Sequence, residues 1–320
     1  MYLKLAAADK TDVGKQRDQN EDYVYKRVES SEEGDKGLFI VADGMGGYQA
    51  GEVASRLTVT TISKNLDCLF RPLSEQPTIQ INRASLQPSD TAATAPGNRT
   101  QPEGNAFGSH TAPKIPIKND WGTECLEAAE NKTRKLSETQ SSVVIEDRLR
   151  TAIQKANKEI LQYGERKSSA RGLGSTVTAV LIQNDQAYIA NVGDSRTYLF
   201  RDNHLQKLTE DHSLVAKLVE SKQITDEEVY THPQRNLIYR SLGAGHRNVD
   251  VDIFHEVLRP GDRLLLCSDG LWEMVHHRDL EKLLKEQSNP QFLCDKLIAL
   301  ANMNGGEDNI TAVVVDVIDH

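Results

Sequence analysis

Two wholly apolar runs, Leu38–Ala42 and Leu264–Cys267, each end in an aspartate followed by glycine: Asp43-Gly44 directly, and Asp269-Gly270 one residue later. A strand with one face in water alternates apolar and polar side chains, so an unbroken run must be covered on both faces. The chain therefore needs layers of structure on either side of these strands. One Asp-Gly pair is an ordinary turn signal. Two of them, each after a buried strand, put carboxylates at strand ends, where loops build sites. Further acids sit in like positions. Glu21-Asp22 precedes Tyr23-Val24-Tyr25, Asp194 falls in a Gly-Asp turn, and Asp308 precedes the apolar run from Ile310.

The remaining pattern predicts an α+β layered domain. Ala50, Val53, Ala54, Leu57 and Ile62 mark a helix after the first strand, and Leu149, Ala152, Ile153, Ala156 and Ile160 mark another. Residues 122–139 are a candidate for a further helix. From Thr176 to Leu208, short runs separated by Asn184-Asp185, Gly193-Asp194 and Asp202-Asn203 predict an antiparallel meander. Residues 212–232 read as helical, with Thr225 and Glu228 in capping-box spacing. Asn289-Pro290 predicts a helix start, and Ile310–Ile318 the last strand. Seven of the ten prolines fall between residues 71 and 120, in a stretch rich in Ser, Thr, Asn, Gln and Gly with no period. It reads as a disordered or extended insertion. Deleting residues 72–118 is expected to leave the fold and basal activity intact.

Converging carboxylates repel one another and lose solvation, so either their pKa values rise or cations bind. Mg²⁺ and Mn²⁺ suit a few shared aspartates because they take oxygen ligands and keep several waters. Gly44 leaves its carbonyl unobstructed for such an ion. The absence of a His-rich cluster disfavours zinc. Two ions about 3.5–4 Å apart activate water and clamp a phosphoryl group for in-line attack. Arg17, just before Asn20-Glu21-Asp22, can grip a phosphate bidentately, or form a surface ion pair. Arg196 reads as a structural partner of the Asp194 turn.

The balance of 38 basic and 47 acidic residues, a net charge of −9, argues against nucleic acid. No run of about 18 apolar residues suggests a membrane span, and the first ten residues lack a signal-peptide pattern. Cys68, Cys125, Cys267 and Cys294 form no C-x-x-C pair. A cytoplasmic monomer is expected. The sequons at Asn98, Asn131 and Asn309 then carry no weight. His276-His277 is a poor metal pair because neighbouring residues point apart, and Cys267 reads as a small core residue.

Six segments, in order, resemble the motifs of the PPM metal-dependent protein phosphatases, the type 2C Ser/Thr class, in its bacterial form. They are Thr11-Asp12-Val13-Gly14 with Arg17 and Asn20-Glu21-Asp22; Val41-Ala42-Asp43-Gly44-Met45-Gly46-Gly47; Gly174-Ser175-Thr176; Val192-Gly193-Asp194-Ser195-Arg196; Ser268-Asp269-Gly270-Leu271-Trp272; and Glu307-Asp308-Asn309-Ile310-Thr311. The resemblance spans residues 8–318 apart from about 70–140. It implies a single PPM-type domain over 1–320, with an insertion at about 71–140 and two packed antiparallel sheets flanked by helix pairs.

By the same resemblance, Asp43, Asp269 and Asp308 hold one Mg²⁺ or Mn²⁺. Asp43, the Gly44 carbonyl and Glu21 or Asp22 hold a second, and Asp194 with Asp269 forms a weaker third site. Arg17 binds the substrate phosphate, with Arg17, Asp43 and Asp269 as the catalytic set. Residues 209–245 look like the flap that contacts the phosphoprotein. Animal members carry histidine, the proposed leaving-group acid, where this chain has Met45. Water, His212 or His232 are the replacements. The implied function is hydrolysis of phosphoserine and phosphothreonine on proteins, opposing a Ser/Thr protein kinase. The alternative is a catalytically silent phosphoprotein-binding relative, which would usually have lost an aspartate. A two-metal nuclease would need a basic track for the strand.

Overall fold

The computed structural model describes residues 2–32, 34–46, 50–71 and 124–319, without the side chains of 124–141 and 169. The chain divides into two units, residues 1–75 with 141–320, and 76–140. The predicted insertion lies largely outside the described residues. Of the second unit, only helical backbone from Glu124 is described.

The first unit holds two five-stranded antiparallel sheets. One has the order β1-β13-β12-β8-β9, built from β1 (Leu3–Asp12), β8 (Arg196–Arg201), β9 (His204–Lys207), β12 (Arg263–Cys267) and β13 (Ile310–Asp319). The other has the order β11-β7-β6-β3-β2, from β2 (Tyr23–Glu29), β3 (Lys36–Ala42), β6 (Val177–Gln183), β7 (Gln186–Val192) and β11 (Asp252–Val257). A three-stranded patch joins β4 (Gly44–Met45), β5 (Gly174–Ser175) and β10 (Leu242–Gly243). The helices are α1 (Ala50–Leu66), α2 (Glu124–Arg166), α3 (Leu214–Glu220), α4 (Asp269–Trp272), α5 (His277–Leu284) and α6 (Pro290–Met303).

The two apolar runs are covered on both faces, as their composition requires. In β3, Phe39 and Val41 join the core between the sheets, with Leu264 and Leu266 of β12 and Val313, Val315 and Val317 of β13. The alternate residues Leu38, Ile40 and Ala42 face the other way, onto Ala54 and Ile62 of α1 and Leu149, Ile153 and Ile160 of α2. Leu265 and Cys267 pack on Leu293, Leu297 and Ala301 of α6 and on Trp272. Each such apolar side chain contributes roughly 1.5–3 kcal/mol on burial, so both faces matter to stability. At the start of α6, the Asn289 side chain accepts a hydrogen bond from the Phe292 N–H at 2.9 Å, with Pro290 in the first turn.

Four expectations need correction. The candidate helix at 122–139 is not separate, because α2 runs unbroken from Glu124 to Arg166. The expected meander divides: β6 pairs with β7 and β8 with β9, but Gly193-Asp194 carries the chain from one sheet to the other. Gly193 makes that crossing at φ +108°, where a side chain would meet Thr176. The helix expected across 212–232 ends at Glu220, and the Thr225–Glu228 box caps only a short 3₁₀ turn, Glu228–Thr231. Asp269-Gly270 is not a free turn but the first turn of α4.

Candidate active site

The carboxylates meet because their strands end together. Asp43 follows β3 in one sheet, Asp269 follows β12 in the other, and Asp308 precedes β13 beside it. The Gly193-Asp194 crossover supplies the fourth. Arg17, Glu21, Asp43, Gly44, Met45, Gly46, Thr176, Asp194, Asn236, Ile238, Asp269, Asp308 and Asn309 line one cavity of about 250 Å³.

Three of the acids are anchored through their backbone. The Asp43 N–H donates to Thr176 Oγ1 at 3.1 Å, and its carbonyl accepts from the Thr176 N–H at 2.8 Å. The Asp194 carbonyl accepts from Trp272 Nε1 at 3.0 Å. Asn309 ties the Glu21 loop down, its Oδ1 accepting from the Glu21 N–H at 2.8 Å and its Nδ2 donating to the Val13 and Gln19 carbonyls. It is buried with its amide fully engaged. The Gly44 N–H donates to the Glu21 carbonyl at 3.1 Å, and a methyl group at Gly44 would overlap the carbonyls of Gly51 and Glu21. The demand for glycine there comes from close packing at the start of α1.

The electrostatics are strained. Burial, then the charges of Asp269, Asp22, Asp194 and Asp308, pushes the Asp43 carboxyl well above its ordinary range. Burial, then Asp194 and Asp308, does the same to Asp269. Burial, then Asp211, lifts Asp194 to about 7. Burial raises Glu21 despite Arg17. Oδ1 of Asp269 and Oδ1 of Asp22 are buried without a hydrogen-bond partner. Asp269 lines the cavity, so its unpaired oxygen is the kind of donor a hard divalent cation would satisfy, and among the described residues no histidine or cysteine lines the cavity. The residues present therefore fit Mg²⁺ or Mn²⁺. Among the described residues, no group of three or more acid, histidine or cysteine side chains stands close enough together to hold an ion as placed.

The structure separates the two members of the Glu21-Asp22 pair. Glu21 lines the cavity, whereas Asp22 lies behind it, Oδ2 accepting from Ser268 Oγ and Thr311 Oγ1 at 2.7 Å each. Burial lifts Asp22 to about 7. Arg17 lines the cavity half-exposed, Nη2 donating to Asp308 Oδ2 at 2.7 Å. The segment expected as a flap contributes Asn236 and Ile238 to the lining, and Arg235 pins it there through Glu273 at 3.1 Å and Glu307 at 2.9 Å.

Neither candidate histidine faces the acids. His212 is buried, with both ring nitrogens engaged, and lines a different, larger cavity of about 660 Å³ beneath α3. His232 Nδ1 accepts from the Gln234 N–H at 3.2 Å, and the residue is absent from the acid cavity's lining. Arg196, expected as a structural partner of the Asp194 turn, makes its ion pair with Asp211 rather than with Asp194 itself. It grips Asp211, with Nη2–Oδ2 at 2.7 Å, and stacks 3.4 Å over the Trp272 ring, so it steadies the turn indirectly. His276 stacks on Tyr230 and His277 tilts towards Tyr198, so the two rings face different neighbours. Cys267 is fully buried. The supporting residues Thr176, Ser268, Asn309 and Thr311 carried no distinct signal beyond their places inside the motifs.

Comparison with known proteins agrees with this arrangement. Residues 15–295 match the family model described as protein phosphatase 2C. The chain is 33% identical over 314 residues to the serine/threonine phosphatase stp of Listeria monocytogenes, covering 98% of this chain and 96% of that protein. The crystal structure of the Mycobacterium tuberculosis serine/threonine phosphatase PstP/Ppp superposes with a TM-score of 0.67 at 29% identity, covering 99% of this chain and 100% of the other. The PstP catalytic domain in complex with two manganese ions gives 0.66 at 28% identity, covering 99% of each chain. With six motifs in order, their acids gathered at the joined ends of two sheets, and matches along nearly its whole length, the chain belongs to the protein phosphatase 2C family.

Proposed function

We propose that this protein is a Mg²⁺- or Mn²⁺-dependent protein phosphatase that hydrolyses phosphoserine and phosphothreonine. The observation carrying this reading is the convergence of Glu21, Asp43, Asp194, Asp269 and Asp308 with the Arg17 guanidinium around one small cavity. That no acid of the motifs has been lost favours an enzyme over a silent binding relative. Asp43, Asp269 and Asp308 are assigned to one ion, and Asp43, the Gly44 carbonyl and Glu21 to the second. Asp194 with Asp269 is assigned to a weaker third. Asp22, turned onto Ser268 and Thr311, supports this set from behind. When bound, the ions supply Lewis acidity and an activated water for direct attack on phosphorus.

The chain's own residues orient the substrate. Arg17 has the planar donors to hold two phosphate oxygens, once released from Asp308. Asn236 and Ile238 border the cavity on the side where a phosphopeptide would approach. With Met45 in the lining and, among the described residues, no histidine there, we assign the proton for the departing hydroxyl to solvent water. Phosphoproteins are the partners, including a Ser/Thr kinase and its targets, and the enzyme works as a cytoplasmic monomer. No helix among the described residues is long and apolar enough to cross a membrane. We read residues 1–320 as one phosphatase domain with the insertion at about 71–140, which the family match over 15–295 supports.

The test is phosphate release from a phosphothreonine peptide with Mn²⁺, Mg²⁺ or EDTA, with Asp269→Asn alongside. Release that needs the metal and disappears in the variant is expected. A folded, metal-bound wild type that releases no phosphate would overturn the reading.

A further inference from the structure

His212 and Gly193 form a reciprocal pair across the junction of the two sheets. The His212 N–H donates to the Gly193 carbonyl at 2.9 Å, and the Gly193 N–H donates to His212 Nδ1 at 2.9 Å. An N–H donor aimed at Nδ1 requires that nitrogen to be unprotonated, so the ring proton sits on Nε2. Nε2 lies 2.9 Å from Asp252 Oδ2, which accepts that proton, and Arg240 Nη1 lies 2.9 Å from the same nitrogen while donating to the other carboxylate oxygen of Asp252 at 2.7 Å. Burial lowers the affinity of His212 for a second proton. The Gly193 N–H selects this tautomer by itself, and Asp252 accepts the proton left on Nε2.

The contact matters because Gly193 adjoins Asp194, and both sit where the chain leaves one sheet for the other. The crossover has no ladder of its own to hold it. Gly193 adopts a φ of +108°. Its carbonyl is shared between the His212 N–H and Asn191 Nδ2 at 3.3 Å, whereas its amide relies on the imidazole. An unsatisfied buried amide would be expected to relax by rotating the peptide, and the adjoining Asp194 carboxylate would move with it. Arg196, one residue beyond Ser195, and Asp211, next to His212, close the same loop with a buried ion pair.

We propose that His212 is a positioning residue for the reaction, holding the Gly193-Asp194 turn through its Nδ1 so that Asp194 presents its carboxylate to the cavity. The inference rests on the phosphatase reading for its consequence in turnover, but not for its consequence in metal binding. It distinguishes the two ring nitrogens, because only Nδ1 acts on the turn.

That distinction is testable with two isosteres in the full chain. In His212→Asn, the amide oxygen stands at the Nδ1 position and can accept from Gly193. In His212→Gln, the amide lies at the Nε2 position and can reach Asp252 but not Gly193. Mn²⁺ titration calorimetry of the metal-free proteins and steady-state hydrolysis of a phosphothreonine peptide are the readouts. His212→Gln is expected to weaken the loosest Mn²⁺ and lower kcat by about 10–100-fold, as loss of a ligand-orienting contact typically does, with KM for the peptide little changed. His212→Asn is expected to stay close to the wild type in both. Asp252→Asn, which leaves the Gly193 contact in place, should also keep near-normal Mn²⁺ binding. A wild-type-like His212→Gln, a His212→Asn as impaired as His212→Gln, or an Asp252→Asn that loses the loosest ion would overturn the proposal. Should the wild type bind Mn²⁺ yet hydrolyse nothing, the phosphatase reading fails while the calorimetric contrast still decides this one.

Discussion

Thr176 Oγ1 and Ser195 Oγ lie 2.7 Å apart in the buried interior, and that hydrogen bond joins the backbone of Asp43 to the turn that carries Asp194. The two acids belong to different connections in the fold, and these two hydroxyls link them. The pair sets the spacing of the carboxylates with groups that bear no charge.

Thr176→Val keeps the shape and removes the hydroxyl, leaving the Asp43 N–H without its partner. An unsatisfied buried group costs about 1–3 kcal/mol. Urea unfolding of the metal-free variant should show a loss of that order, and Thr176→Ser should recover most of it. An unchanged unfolding midpoint in the valine variant would count against this coupling.

Arg17 is ion-paired to Asp308 and faces the cavity. A hydrogen bond to a charged group contributes about 1.5–3 kcal/mol, so Arg17→Ala should raise KM on the order of tenfold or more. The rise should appear in KM more than in kcat if Arg17 holds the phosphate equally in ground and transition states. Arg17→Lys should fall between, since an ammonium lacks the planar fork. Steady-state kinetics on a phosphothreonine peptide decide this, and an unchanged KM in Arg17→Ala would remove Arg17 from phosphate binding.

Asp22 and Asp194 hold their protons to about pH 7 in the folded chain, against 3.8 as the ordinary value. A raised carboxyl pKa means the folded state binds more protons than the unfolded one between those values, so stability falls as pH rises through that window. The metal-free protein should therefore lose melting temperature from pH 5.5 to pH 8 through these groups. Mn²⁺ relieves the same repulsion and competes with protons, so its stabilising shift should be larger at pH 8. Thermal melts at both pH values, with Mn²⁺ or EDTA, measure this. An equal shift at both would contradict it.

The Arg196–Asp211 pair is buried and stacked on Trp272. Removing one partner of a buried pair strands the other charge at a cost of about 3–5 kcal/mol, whereas an apolar pair of similar size can be nearly neutral. Asp211→Ala should destabilise strongly and speed proteolysis within residues 209–240. Arg196→Met with Asp211→Leu should be milder than Asp211→Ala alone. If the double variant is the worse of the two, the pair contributes more than relief of an isolated charge.

Much of the site could be read from the chain because an aspartate after an unbroken apolar run leaves little doubt that it caps a buried strand. Asp43 and Asp269 stood out in this way, and the two helices under the Asp43 strand followed from the stripes at Ala54–Ile62 and Leu149–Ile160. The change of sheet at Gly193-Asp194 was not legible, since a two-residue turn has the same composition whether it closes a hairpin or crosses between layers. The continuity of α2 was hidden because its first half lacks an apolar stripe. Thr176, Ser268 and Thr311 sit beside apolar runs as single hydroxyls, and nothing local reveals that they face carboxylates. The direction of His212 was likewise invisible, because a histidine beside an acid reads as a proton donor until its two nitrogens are seen to be engaged.

The joining of acids from both sheets at one end of the inter-sheet core has a consequence for how this protein fails. Asp43 travels with one sheet and Asp269 and Asp308 with the other, so a slip of one layer over the other by a fraction of a strand would part them while leaving every ladder of hydrogen bonds intact. Damage to Phe39, Leu264 or Val315, far from any chemistry, should then surface first as weakened cation affinity and only later as unfolding. A cation held there would act as an alignment gauge for the layers and as a rivet between them.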